Sequence, residues 1–165
     1  MCSYCGCRDI PLIKEFIAEH EAMLEAAAEA AEALRAGAVL RARGRLDLLA
    51  RQLEAHWRGE EEGLFAVMHE DPQYSGYLDE LVTDHRRLRA LLGEADPAVG
   101  LDRARLLAAL DGLRTHIAKE EDGLFPASLT ALSGAQWDAA MAAWQRAHPG
   151  DASLARDLGP SSVAD

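Results

Sequence analysis

HWRGEEEGLF at residues 56–65 and HIAKEEDGLF at residues 116–125 carry His, two consecutive Glu, Gly, Leu and Phe at identical offsets. Chance does not readily give such agreement, so the two segments are read as an internal repeat. On a helix, positions i and i+4 lie one turn apart on the same face, so His56 projects with Glu60 and His116 with Glu120. Each pair also continues an apolar stripe: Leu46, Leu49, Leu53, His56, Glu60, Leu64 and Val67 in the first copy, and Leu106, Leu110, Leu113, His116, Glu120, Leu124 and Ala127 in the second. Imidazoles and carboxylates therefore stand at positions that face a core.

Working outward, each copy is preceded by another helical pattern with one histidine on its inner stripe. Phe16, His20, Leu24, Ala27 and Ala31 form the first such stripe, and Leu78, Leu81, His85, Leu88 and Leu92 the second. The chain thus reads as two helical hairpins related by a pseudo-twofold. Helices are expected over about 9–36, stopped by Gly37, and about 39–68, closed by Asp71-Pro72. Two more follow over about 73–94, ending before Asp96-Pro97, and about 101–132, with Pro126 expected to kink or end the helix near its last turn. A weaker fifth helix begins at Ser133 as N-cap, carries Trp137, Met141 and Trp144 as its apolar stripe, and stops at Pro149-Gly150. The expected fold is all-α: an antiparallel up-down four-helix bundle over residues 9–132 with a short extra C-terminal helix over 133–148. Residues 1–8 form a cysteine arm, and 149–165, rich in Asp, Ser, Gly and Pro, a flexible tail.

Composition agrees. The 165 residues suit one domain able to bury a continuous core, and 49% apolar with only 5% aromatic content fits a helical protein. A net charge of -11 opposes binding to nucleic acid or to an anionic membrane surface. No apolar run approaches the roughly 20 residues a membrane span requires. Cys2, Cys5 and Cys7 are clustered and odd in number, unlike a secreted disulfide framework, so a cytoplasmic, reducing setting is expected.

Burying six such groups unpaired would cost several kcal/mol each, so something must compensate. A lone inward histidine is usually a hydrogen-bonded core residue, but four helices each offering one, two of them with Glu a turn later, form a donor set. Imidazole with carboxylate suits iron, manganese or zinc, and carboxylates in a bundle core bridge two metals. His20 and His56 would share one ion, His85 and His116 the other, with Glu60 and Glu120 bridging. Glu61 and Glu121, at i+5 from the histidines, are read as facing a solvated side, with a substitute or supporting role left open. His69 and His148 lie off the stripes near helix ends and are read as surface residues. Trp57 is expected to pack between helices or at the surface.

The order His20, His56xxxGlu60, His85, His116xxxGlu120, with the EEEGLF and EEDGLF continuations, resembles the hemerythrin-like HHE cation-binding family over residues 9–132. The resemblance implies two iron ions with an oxo or hydroxo bridge, held by these six residues, and a small ligand such as dioxygen. It departs at one point. Oxygen carriers of the family place a second histidine on the third helix one turn from the first, whereas here the positions four residues either side of His85 are Leu81 and Arg89. Two imidazoles, two bridging carboxylates and a solvent bridge leave a sixth position open on each iron. That pattern points to reaction with dioxygen, hydrogen peroxide or nitric oxide in oxidative or nitrosative stress defence, with catalase- or peroxidase-like activity one form of it, rather than to oxygen storage.

An alternative is a sensor or iron-handling module signalling through a protein partner, whose output could be the cysteine arm. Some members of the family this chain resembles that repair iron-sulfur clusters also carry N-terminal cysteines, so by that analogy the role stays open. Cys2, Cys5 and Cys7 remain open between a redox-active pair, an accessory metal site and inert thiols. A third reading, a bundle whose histidines and glutamates pair without metal, predicts stability indifferent to chelators. Either a monomer or a homodimer fits the sequence.

Overall fold

The computed structural model describes residues 6–150. Cys2 and Cys5, the side chain of Cys7 and the tail segment 151–165 lie outside the described residues. The described chain is all-helical, without a strand. A 3-10 turn at Cys7–Asp9 leads into α1 (Pro11–Arg35), followed by α2 (Val39–Gly59), α3 (Phe65–Met68), α4 (Pro72–Glu94), α5 (Gly100–Lys119), α6 (Phe125–Ala131) and α7 (Gly134–Ala147). Among the described residues no helix is long and apolar enough to cross a membrane.

Helix ends follow local chemistry. Pro11 opens α1, where its missing N–H would have had no partner. Gly37 closes it at φ +66°, and the amides of Gly37 and Ala38 donate back to Leu34 and Ala33, the bonding of a Schellman cap. The Asp71 carboxylate accepts from the Gln73 amide at the start of α4. Ser133 and Gln136 form a capping box at the start of α7.

The sequence pattern does not foresee two π-helical turns, Glu60–Leu64 and Glu120–Leu124, which join α2 to α3 and α5 to α6. They fall on EEEGL and EEDGL, the same stretch of each repeat. Pro126 is not the cause, because the first copy has Ala66 there and bulges equally. The proline is instead accommodated: it lies in the first turn of α6, just past the change of register, and the helix runs on to Ala131.

Helix α1 packs against α2 and α5, α4 against α5 and α2, and α7 against α1, α2 and the first π turn. The core forms two apolar layers. One contains Met23, Leu49, Leu53, Leu110 and Leu113; the other contains Phe16, Leu64, Leu81, Leu124 and Phe125. Each inward histidine lies where its helix passes from one layer to the other. Each fully buried Leu or Phe contributes on the order of 1.5–3 kcal/mol, and these layers hold the polar stratum between them in place.

Candidate metal centre

His20, His56, Glu60, His85, His116 and Glu120 all converge on that stratum. Exposure is 0–2% for His20, His56, His85 and both glutamates, and 8% for His116. The imidazoles meet in pairs, with Nε2 of His20 3.2 Å from Nε2 of His56 and Nε2 of His85 2.9 Å from Nε2 of His116. Two donors bound at right angles to one ion at about 2.1 Å lie about 3 Å apart, so each pair has the spacing of two ligands on a common cation. Glu120 spans the pairs: Oε2 is 3.3 Å from His20 Nε2, while Oε1 is 2.9 Å from His116 Nε2 and 3.7 Å from His85 Nε2. Glu60 Oε2 lies 3.3 Å from His56 and 3.7 Å from His85. Two groups, His20-His56-Glu60-Glu120 and His85-His116-Glu120, have donor atoms close enough to hold an ion.

All four oxygens of Glu60 and Glu120 are buried without accepting a hydrogen bond. A buried carboxylate in that condition costs several kcal/mol, and it is the arrangement a cation would satisfy. Mixed imidazole and carboxylate donors suit iron, manganese or zinc, so the residues fit the dinuclear centre expected from the sequence.

The outer nitrogens of three of the four rings are held by carboxylates, and the fourth faces one. Glu19, beside His20, accepts from His56 Nδ1 at 2.6 Å; Asp84, beside His85, faces His116 Nδ1 at 3.6 Å, beyond hydrogen-bond range. Glu121 accepts from His20 Nδ1 at 3.1 Å and Glu61 from His85 Nδ1 at 2.9 Å. This corrects the reading of Glu61 and Glu121 as solvated: the π turns re-aim them at the neighbouring helix, and their side chains are only 31% and 14% exposed. A proton held on Nδ1 leaves the Nε2 lone pair facing the site.

The rest of the repeat is accounted for in the same way. Phe125 stacks on His20 and Phe65 on His85 with ring centroids 5.8 Å apart in each case. Gly63 and Gly123 allow close approach: a Cβ would come within 2.9 Å of the Ala140 carbonyl oxygen at the first and 2.7 Å of the Tyr77 hydroxyl at the second. Trp57 packs between helices, stacked on His85 at 4.9 Å, with the Arg89 guanidinium 5.0 Å from its ring centroid.

His148 is a second correction. Its side chain is only 10% exposed and its Nε2 lies 3.0 Å from Glu19 Oε1, because α7 folds back over α2. The Trp144 indole donates to the same oxygen at 2.7 Å. His69 stays at the surface, near Asp79 and Ser75. Sequence reasoning missed Glu19, Asp84, Trp144 and Arg8, whose guanidinium contacts Glu121 at 2.6 Å. The available signal was an acid directly before the histidine in each hairpin, Glu19-His20 and Asp84-His85.

Charge follows the geometry. Burial would lower His56, but the charge of Glu60 and the bond to Glu19 push it up to about 10. Burial likewise opposes ionisation of His20 and His85, yet Glu120 and Glu121 raise the first and Glu120 and Glu61 the second. Glu120 would be raised by burial, and His116 foremost brings it well below the carboxylate range. The carboxylates around the site thus favour the charged form of His20, His56 and His85 against the cost of burial. A cleft of about 420 Å³ lined by Trp57, His85, Leu88, Leu113, His116 and Lys119 reaches the second pair from outside.

The family model of the hemerythrin HHE cation binding domain matches residues 12–128, a span that includes all six converging residues. No curated protein and no solved structure shows significant similarity to the chain. With that match over most of its length, and a buried cluster of histidine and glutamate inside it, the chain belongs to the hemerythrin HHE cation binding domain family.

Proposed function

We propose that this chain is a non-haem di-iron protein that binds or reacts with dioxygen, hydrogen peroxide or nitric oxide in cytoplasmic defence against oxidative or nitrosative stress. The observation that carries the reading is the pair of imidazole couples, at 3.2 and 2.9 Å, around carboxylates that accept no hydrogen bond. His20 and His56 would hold one iron and His85 and His116 the other, with Glu60 and Glu120 shared. The surrounding fold is read as an antiparallel up-down four-helix bundle over residues 9–132, with 133–148 as an added helix and the cysteine arm and tail outside it.

Iron supplies redox chemistry and open coordination positions when bound. The chain's own residues do the rest. Glu19, Glu61 and Glu121 fix the ring tautomers, and the apolar layers exclude bulk water. The absence of a fifth histidine supports reactive chemistry over storage: Leu81 is buried in the core, and Arg89 is turned away to Glu54. The cleft at His85 and His116 supports entry of the small ligand on that side.

The test is to load the chain with ferrous iron without oxygen, then add air, hydrogen peroxide or nitric oxide separately and follow consumption of each. Sustained turnover of one identifies the activity; consumption of none beyond one equivalent per centre sinks the catalytic reading. A sensor or iron-handling role has one observation in its favour, since Arg8, next to Cys7, contacts the carboxylate that holds His20. It predicts a change at the metal centre when the cysteines are oxidised, without turnover.

A further inference from the structure

The two halves of the site repeat in sequence but not in their support. At the fourth position of the repeat the first copy has Gly59 and the second Lys119. A Cβ on Gly59 would lie 2.9 Å from Trp144 Cδ1 and 3.5 Å from His148 Cε1, so the missing side chain is what lets α7 seat there. Lys119 instead bonds Asp84 at 3.1 Å and its side chain stays 40% exposed. Glu19 thus accepts from His56 Nδ1 at 2.6 Å and Trp144 Nε1 at 2.7 Å, with His148 Nε2 3.0 Å from the same oxygen as the indole. Its counterpart Asp84 stands 3.6 Å from His116. His148 is itself anchored through Nδ1 on the Trp144 carbonyl at 2.8 Å, its ring stacked on the indole.

We propose that α7 is a clamp on one metal position: Trp144 and His148 are positioning residues that, through Glu19, fix the His56 ring and make the His20-His56 position release its ion more slowly than the His85-His116 position. The inference rests on the metal assignment above. Helix α7 lies beyond the stretch matched by the family model, so the clamp is built from residues outside that stretch. Arg8 extends it from the other terminus, since Glu121, which holds His20, is gripped at 2.6 Å by a residue also outside the matched stretch. Glu19 and Glu121, the carboxylates on the outer nitrogens of the first pair, are thereby tied to flanking segments. The second position keeps a looser Asp84, a more exposed His116 and the cleft.

The experiment loads the full chain with ferrous iron anaerobically, counts the bound ions, and follows their release to a ferrous chelator. Two bound ions leaving in two phases are expected. Trp144→Phe keeps an aromatic ring on α7 but removes the indole N–H together with part of the ring, and should speed the slow phase about tenfold, the lower end of what loss of a ligand-orienting partner costs. Asp84→Asn should act on the fast phase alone. Trp137→Phe, on the same helix but away from Glu19, should change neither, and His148→Gln, which retains a donor, should stay closer to wild type than His148→Ala. Equal acceleration of both phases by Trp144→Phe, no effect on either, or the same effect from Trp137→Phe would overturn the clamp while leaving the metal centre intact. Fewer than two ions on the unsubstituted chain would overturn the metal assignment, and the clamp with it.

Discussion

Replacing Glu121 with Gln probes how the imidazoles are aimed. One carboxylate oxygen accepts from His20 Nδ1 at 3.1 Å and the other from Arg8 at 2.6 Å, so both oxygens serve as acceptors. A carboxamide has a single oxygen. Turned towards His20 it preserves the tautomer but sets an NH2 against the guanidinium; turned towards Arg8 it presents an NH2 to Nδ1, which moves the ring proton to Nε2 and removes the lone pair a metal needs. Either orientation leaves one donor without its partner. Loss of such a supporting bond weakens metal binding about 10–100-fold, or about 1.4–2.7 kcal/mol. Glu61→Gln differs. Glu61 bonds only His85, at 2.9 Å, among the described residues, so its amide oxygen can keep that bond and the loss should be several-fold at most. Competitive titration of ferrous iron against a chelator reads both. Equal losses, or a larger loss from Glu61→Gln, would refute the tautomer argument.

Glu60→Ala or Glu120→Ala should abolish binding of two ions, as colorimetric iron analysis of the reconstituted variants would read, because each removes a carboxylate that approaches both imidazole pairs; retention of two ions would contradict the bridging assignment. Ala109→Trp, placed in the cleft beside His116, should slow association of azide or nitric oxide at least tenfold with iron content unchanged, measured by stopped flow; an unchanged rate would put the entrance elsewhere. The pH response of the metal-free chain has a definite sign. His56 is pushed up to about 10 from 6.5, so its contribution to stability is complete below about 6.5 and is lost as pH rises through 10. Melts of the chelator-treated protein from pH 6 to 10 should show stability falling with pH, and more steeply than in His56→Gln; parallel slopes would remove His56 as the cause.

Much of the site was legible because an α-helix repeats so regularly. The i, i+4 relation of His56 to Glu60 and of His116 to Glu120 needs only the helical period, and the stripes around them point them inward. Helix ends were readable to within a residue or two where proline, Asp-Pro or Gly37 marks them. The π turns were not, since EEEGL is an ordinary helical string until its register changes, and Glu61 and Glu121 lie within those turns bonded to His85 and His20. Glu19 and Asp84 escaped for another reason. Each sits off its own stripe and reaches sideways to a histidine on the next helix, a relation visible only once helices are packed. The Gly59-Lys119 difference stood in plain view within the repeat, but it acquires meaning only from the position of α7. His148, beyond the end of that helix, could not be placed before the helix itself was.

The most direct test of the account is Mössbauer spectroscopy of the full chain reconstituted anaerobically with ferrous iron-57 and then exposed to air, with total iron measured on the same sample. Two irons per chain, coupled through a common bridge in the oxidised form, are predicted. One iron, none, or two that remain magnetically independent would contradict a centre shared between Glu60 and Glu120.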